Sequence, residues 1–72
     1  MIPEIAELIK QIEDLGFTCK YSNINYDDGP ILMICGNRDM TGIDWGKVGA
    51  LLEANKEAIR EKEPCFGFLY LW

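Results

Sequence analysis

The period of the apolar residues changes several times within 72 residues, and this constrains the fold more than any other feature. In the first segment apolar residues recur every three or four positions, as on one face of a helix. This stripe consists of Ile5, Leu8, Ile9, Ile12 and Leu15. Pro3 suits a first helical position, and Gly16 suits the position past a helix end because glycine adopts positive φ without a Cβ penalty. The pattern predicts a helix over residues 3–15.

The next two apolar segments have the pattern of strands. Residues 17–25 alternate, with Phe17, Cys19 and Tyr21 on one side, which predicts a strand with one face in water. Residues 31–35 are apolar throughout, which predicts a strand buried on both faces or nearly so. The Asp-Asp-Gly-Pro segment at 27–30 is typical of a turn. We therefore expect an antiparallel hairpin.

The rest of the chain predicts a loop, a helix and a strand. Asp44 is a suitable N-cap, and Pro64 disfavours helix at the residue before it, so we expect a helix from 44 to about 62. Its predicted inner stripe is Trp45, Val48, Leu52, Asn55 and Ile59. A last strand covers 65–72. The order α-β-β-α-β over 1–72 predicts a single two-layer α+β domain, a three-stranded sheet with both helices packed on one face.

The charge balance argues against several classes of function. Twelve acidic and seven basic residues give a net charge of −5, and there is no histidine. Direct nucleic-acid binding needs an excess of lysine and arginine for phosphate contacts. Without histidine the commonest general base and metal ligand are missing. Because no nucleophile–base pair can be assembled either, we expect a protein that is not an enzyme, with no catalytic, metal-binding or cofactor-binding residues.

The three cysteines, Cys19, Cys35 and Cys65, are odd in number and widely spaced. Secreted mini-proteins normally carry an even disulfide framework. We therefore expect three reduced thiols that pack as small apolar side chains, and a cytoplasmic location. An acidic helix follows Met1 at once, and no apolar run approaches the roughly 20 residues of a membrane span. We expect neither a signal peptide nor a membrane segment.

The loop at 36–43 has two glycines before a helix, as phosphate-binding loops do. It lacks their glycine and lysine spacing, and Asp39 and Asp44 would repel phosphate. Two interpretations stay open. The loop is a plain connector, or it is a recognition loop with Arg38 and Met40 as exposed contacts.

Small residues recur on the outer face of the second helix. Gly46, Ala50 and Ala54 are spaced four apart. A helical glycine costs about 0.5–1 kcal/mol relative to alanine, so Gly46 needs a reason. Close approach of a partner is one reason, and a loosened first turn is the other. Gly49 lies beside the core stripe, where we expect it to let the helix approach the sheet closely.

Acidic residues flank these small ones. Glu53, Glu57 and Glu61 lie about one turn, or 6 Å, apart. That spacing suits mimicry of nucleic-acid phosphates, but interleaved lysine and arginine are typical of a solvated, salt-bridged face. We expect Asn55, inside the apolar stripe, to hold a loop or strand end by hydrogen bonds.

The last seven residues, 66–72, contain no charged residue. Two helices can cover only one side of the sheet, so half of these side chains would face water unless another surface covers them. Tryptophan and tyrosine dominate interface hot spots. We therefore expect part of this segment, with Tyr70 and Trp72, to lie in a homodimer or partner interface.

Three functions remain. The first is a small, acidic, non-enzymatic protein-binding module, an inhibitor or adaptor that occupies a basic surface of a protein target. Phage-borne anti-CRISPR and anti-restriction inhibitors are examples by size and charge alone. The second is a homodimeric structural or regulatory module assembled through 66–72, and the third is a small-ligand or enzyme-accessory domain. The candidate partner-binding residues are Asp27, Asp28, Arg38, Asp39, Gly46, Ala50, Glu53, Glu57, Glu61, Tyr70 and Trp72.

Overall fold

Two helices and three strands follow one another in the order α-β-β-α-β, which confirms the sequence prediction. The computed structural model describes residues 1–22 and 29–71. The elements are α1 (Pro3–Glu13), β1 (Thr18–Ser22), β2 (Ile31–Cys35), α2 (Gly42–Lys62) and β3 (Gly67–Leu71). They form one small two-layer α+β domain in which both helices pack on the same face of the sheet.

β2 is the central strand of a sheet with the order β1-β2-β3. β1 pairs with it antiparallel, with Cys19 opposite Ile34, and this confirms the predicted pairing of the two strands. Residues 23–28, which include part of the predicted turn, lie outside the described residues. β3 pairs with the other side of β2 in parallel, with Leu32 opposite Phe68. A parallel neighbour requires a long crossover connection, which α2 provides. Within the described ranges, β1 and β3 are the edge strands.

α1 ends two residues earlier than the sequence predicts. The chain continues as a turn, in which the N–H of Leu15 donates to the carbonyl of Ile12 at 3.0 Å and that of Gly16 to Glu13 at 2.9 Å. Gly16 has φ 98°, so glycine does occupy the left-handed position past the helix end. The residues of α1 that are fully buried are Ile5, Leu8 and Ile12.

α2 begins earlier than predicted, because its N-cap is Thr41 and not Asp44. The Thr41 hydroxyl accepts from the N–H of Asp44 at 3.4 Å, and the Asp44 carboxylate accepts from the N–H of Thr41 at 2.8 Å. This reciprocal capping box satisfies two backbone donors at the helix end. The prediction was wrong because aspartate is favoured both at the cap and in the first turn.

The hydrophobic core lies between the two helices and the inner face of the sheet. Its buried members are Ile5, Leu8, Ile12, Phe17, Leu32, Ile34, Val48, Leu52, Ile59 and Phe66. Fully burying one such side chain is worth about 1.5–3 kcal/mol. The sequence suggested that Asn55 holds a loop or strand end by hydrogen bonds, and this is wrong. Its Nδ2 donates to the carbonyl of Leu51 at 2.7 Å, one turn earlier in the same helix.

An aromatic cluster closes one end of the core. The Trp45 ring makes edge-to-face contacts with Phe17, at 4.8 Å between ring centroids, and with Tyr70, at 5.7 Å. A Cβ at Gly36 would lie 2.5 Å from Cζ2 of Trp45. The missing side chain at Gly36 therefore makes room for the indole beside the end of β2.

The prediction that β2 is buried on both faces, or nearly so, is wrong for the side away from the helices. Leu32 and Ile34 are fully buried on the helix side, but Ile31 on the opposite side is 39% exposed. The helices cover a single face of the sheet, so the alternate residues of β2 have no described element above them. The apolar run from 31 to 35 therefore has one buried face and one open face.

Candidate functional site

Five of the candidate partner-binding residues lie on one exposed surface of α2, which we call the outer stripe. Its members are Gly46, Ala50, Glu53, Glu57 and Glu61, all of them exposed. Their spacing of three or four residues keeps them on one side of the helix. From first to last the outer stripe extends about 22 Å along the axis, at ~1.5 Å per residue. The sequence pattern thus predicted a set that the fold brings together.

Two carboxylates of the outer stripe form no ion pair with any described residue. Glu53 accepts from Nζ of Lys56 at 3.2 Å, and the Glu53 side chain is 75% exposed. Within residues 1–22 and 29–71, Glu57 and Glu61 form no ion pair within 4.0 Å. An exposed pair such as Glu53–Lys56 is screened by water and contributes little to stability. Glu57 and Glu61 therefore lie one turn apart without a direct ion pair, although Lys56 and Arg60 line the same part of the helix.

The small residues of α2 are not explained by packing. A Cβ at Gly46 or at Gly49 would meet no heavy atom within 4 Å. The expectation that Gly49 permits a close approach to the sheet is therefore wrong. Neither glycine adopts a positive φ. The described fold requires a glycine at neither position, so the exposed Gly46 is open to a partner's close approach.

A shallow depression on α2 includes the last two residues of the outer stripe. It is lined by Lys56, Glu57, Arg60 and Glu61, which all come from one helix. Sites for small molecules are concave and enclose most of the ligand surface. Four charged side chains on the convex side of one helix cannot do this, whereas a macromolecular surface can lie across them.

The loop before α2 contributes exposed charge and a partly buried methionine. Arg38 and Asp39 are exposed, and Asn37 holds the turn by accepting from the N–H of Asp39 at 2.9 Å. Met40, which the sequence suggested as an exposed contact, is partly buried against the core. Its thioether fills space beside Gly36 and Gly16. The methionine is therefore a packing residue.

Tyr70 is separated from the outer stripe. It is 47% exposed but contacts Trp45, which lies on the sheet side of α2. The structure therefore does not bring Tyr70 together with the acidic residues. The remaining candidates, Asp27, Asp28 and Trp72, lie outside the described residues.

The shifted pKa values of Cys19 and Glu4 follow from burial and from a contact between the two helices. Burial, with Glu13 and Cys35 nearby, raises the pKa of Cys19 to about 11, so this thiol stays protonated at neutral pH. A hydrogen bond from Lys62, at 2.7 Å, lowers the pKa of Glu4 and joins the end of α2 to the start of α1. All three thiols are free.

In the part of the chain that the structure describes, no three His, Cys, Asp or Glu side chains lie close enough together to hold a metal ion.

Sequence reasoning expected an uncovered side of the sheet at residues 66–72 but missed that β2 is part of it. Ile31, Leu69 and Leu71 point away from the helices and are 39%, 48% and 38% exposed. The signal was present, since only two helices were expected for three strands. Because two helices cover only one side of a three-stranded sheet, an apolar run on β2 had to leave some apolar side chains on the uncovered side.

None of the described helices is both long and apolar enough to cross a membrane. The sequence matches no protein-family model and no curated protein, and no solved structure matches the fold.

Proposed function

We propose that this chain is a non-enzymatic protein-binding module, an inhibitor or adaptor that places the outer stripe of α2 on a basic surface of a protein target. The observation that carries the proposal is the pair Glu57 and Glu61, which are exposed, one turn apart and without ion-pair partners in the described chain. Lysine and arginine side chains of a partner would form the ion pairs that these two carboxylates do not make within the described chain.

The shape of the surface supports a macromolecular partner. A helix 21 residues long is a convex rod, and the depression on it has walls from that helix alone. The negative charge disfavours nucleic acid as the partner, because bound phosphates require basic side chains. A basic protein surface, including one that normally holds nucleic acid, has the complementary charge.

Gly46 supports contact at the start of the outer stripe. No packing contact within the described fold requires a glycine at this position. A helical glycine lowers stability by about 0.5–1 kcal/mol relative to alanine. Binding that brings a partner's atoms close to the helix backbone would account for the residue. The outer stripe would then have a smooth half at Gly46 and Ala50 and a charged half from Glu53 onward.

The working compartment that we propose is the cytoplasm. Its support is the set of three free thiols, a state that a reducing environment maintains. Assembly as a homodimer is the second candidate, and its support is the exposure of Ile31, Leu69 and Leu71 on the side of the sheet away from the helices.

The test is capture of protein from native lysate by the immobilised chain. The stripe variant carries Glu53→Gln, Glu57→Gln and Glu61→Gln, which removes three of the five net negative charges (−5 + 3 = −2). We expect the parent to capture a discrete basic protein that high salt releases, and we expect the stripe variant to lose it.

A matched control separates position from total charge. The control variant carries Glu7→Gln, Glu13→Gln and Asp14→Asn, three exposed residues at α1, and it also has a net charge of −2. The proposal requires the control variant to retain the target. Equal loss in both variants would mean that overall charge, and not the outer stripe, holds the partner.

A further inference from the structure

The side of the sheet that faces away from the helices, the open face, carries a continuous apolar patch. β2 and β3 are in register, so Met33 lies beside Leu69 and Cys35 beside Leu71. The apolar side chains on this face are Ile31, Met33, Cys35, Leu69 and Leu71. The last two are 48% and 38% exposed. Such an apolar patch, if left in water, invites association.

Charge is distributed in opposite ways on the two sides of the molecule. On the described strands, the only charged residue of the open face is Lys20 in edge strand β1. The exposed carboxylates of the described helices lie on the other side of the sheet. Two copies that meet through their open faces would therefore direct their acidic helical layers outward. Stacked sheets lie ~10 Å apart, and a helical layer lies beyond each sheet. The distance between the carboxylates of the two copies therefore exceeds the Debye length of ~8 Å, so salt screens their repulsion.

The polarity and symmetry of the open face suit an identical partner. Three strands of five residues cover about 16 by 14 Å, from ~3.3 Å per residue and ~4.8 Å between strands. This is well below the ~800 Å² per side of a standard interface, so a complex formed through this face alone is weak. A second copy offers a face of the same size and polarity, and two-fold pairing places the same patch on both sides.

We infer that this chain forms a homodimer by packing the open faces of two sheets against each other, with the helices outermost. This arrangement covers Ile31, Leu69 and Leu71 on both copies. Pairing of two β3 edges would extend the sheet but leave the same side chains in water. Lys20 lies at the rim on an edge strand, where its ammonium group reaches water. The small contact area makes the dimer weak and dependent on concentration.

Sedimentation equilibrium tests the dimer over a series from about 1 μM to about 1 mM, the range of weak association. The mass of the parent should rise from 8.2 kDa toward twice that value. The Leu69→Lys variant should keep the mass of the monomer up to a protein concentration at least tenfold higher than that at which the parent dimerises. Ile43→Lys, at a 74% exposed isoleucine on α2, makes the same charge change away from the open face and should dimerise like the parent.

Alkylation of the parent supplies a second measurement that needs no variant. Cys35 lies on the open face, whereas Cys65 is exposed in the turn before β3. As the protein concentration rises, the alkylation rate of Cys35 should fall several-fold relative to that of Cys65. A parent that stays at 8.2 kDa throughout would overturn the inference. So would a dimer that Leu69→Lys leaves intact or a Cys35 rate independent of concentration.

The inference does not depend on the proposed function. A monomeric parent that still captures its target through the outer stripe would overturn the dimer alone. A dimer that captures nothing would overturn the proposed target and leave the dimer in place.

Discussion

Gly36 and Gly49 have opposite surroundings, although each lacks the same side chain. At Gly36 a Cβ would lie 2.5 Å from the Trp45 ring, which Phe17 and Tyr70 hold in place by edge-to-face contacts. At Gly49 a Cβ would meet nothing within 4 Å. One glycine is therefore required by close packing, and the other is free to change.

Alanine at these two positions should change stability in opposite directions. Gly36→Ala forces the indole out of its place and should lower the free energy of unfolding by about 1–3 kcal/mol, as overpacking does. Gly49→Ala removes backbone freedom from a helix interior and should raise it by about 0.5–1 kcal/mol. Urea unfolding of both variants checks the prediction. A Gly36→Ala protein as stable as the parent would mean that Trp45 lies elsewhere.

Sequence patterns could not place side chains whose partners are local. Asn55 has the spacing of an inner-stripe residue, and a buried amide normally joins distant groups, yet its donor reaches the carbonyl of Leu51 in the same helix. In the recognition-loop interpretation Met40 was an exposed contact, because loops lie on the protein surface. Its long, flexible side chain instead reaches the space beside Gly36.

At the scale of the elements, the period of the apolar residues predicted all five segments and the side of each helix that is buried. Ile5, Leu8 and Ile12 in α1, and Val48, Leu52 and Ile59 in α2, are the buried residues of the helices. The start of α2 was missed, because Thr41 and Asp44 each suit a cap and only their mutual hydrogen bonds decide between them.

The capping box makes the stability of α2 dependent on pH. Hydrogen bonds from Thr41 lower the pKa of Asp44 below its usual value. A lowered pKa in the folded state means that the contribution of the ionised group is present above the unfolded pKa and is lost as pH falls through the folded value. The contribution of Asp44 should therefore decline below a pH of about 4.

Asp44→Asn tests this, because asparagine keeps an acceptor oxygen but does not titrate. The difference in free energy of unfolding between parent and variant, measured by thermal unfolding from neutral pH downward, should shrink with acidification. Thr41→Ala serves as a second variant that removes the other half of the box and should cost about 0.5–2 kcal/mol at neutral pH. Parallel pH curves for the parent and Asp44→Asn would contradict the assigned role of the carboxylate.

For the whole molecule, the two-layer arrangement separates two kinds of surface. The helices carry the exposed carboxylates of the outer stripe, and the sheet presents Ile31, Leu69 and Leu71 on its open face. The sequence predicted the acidic helix face, because four-residue spacing alone defines it. It did not predict the open face of β2, because a wholly apolar run has no period that distinguishes its two sides.

The central claim is that the outer stripe guides this protein to a basic partner, and the association rate with the captured target at increasing salt tests it most directly. Charges at the rim of an interface act mainly on association, and salt screens them within about a Debye length. The rate should fall steeply with salt for the parent and the control variant. The stripe variant should associate slowly, with a flat dependence on salt. An association rate of the parent that does not change with salt would contradict the account.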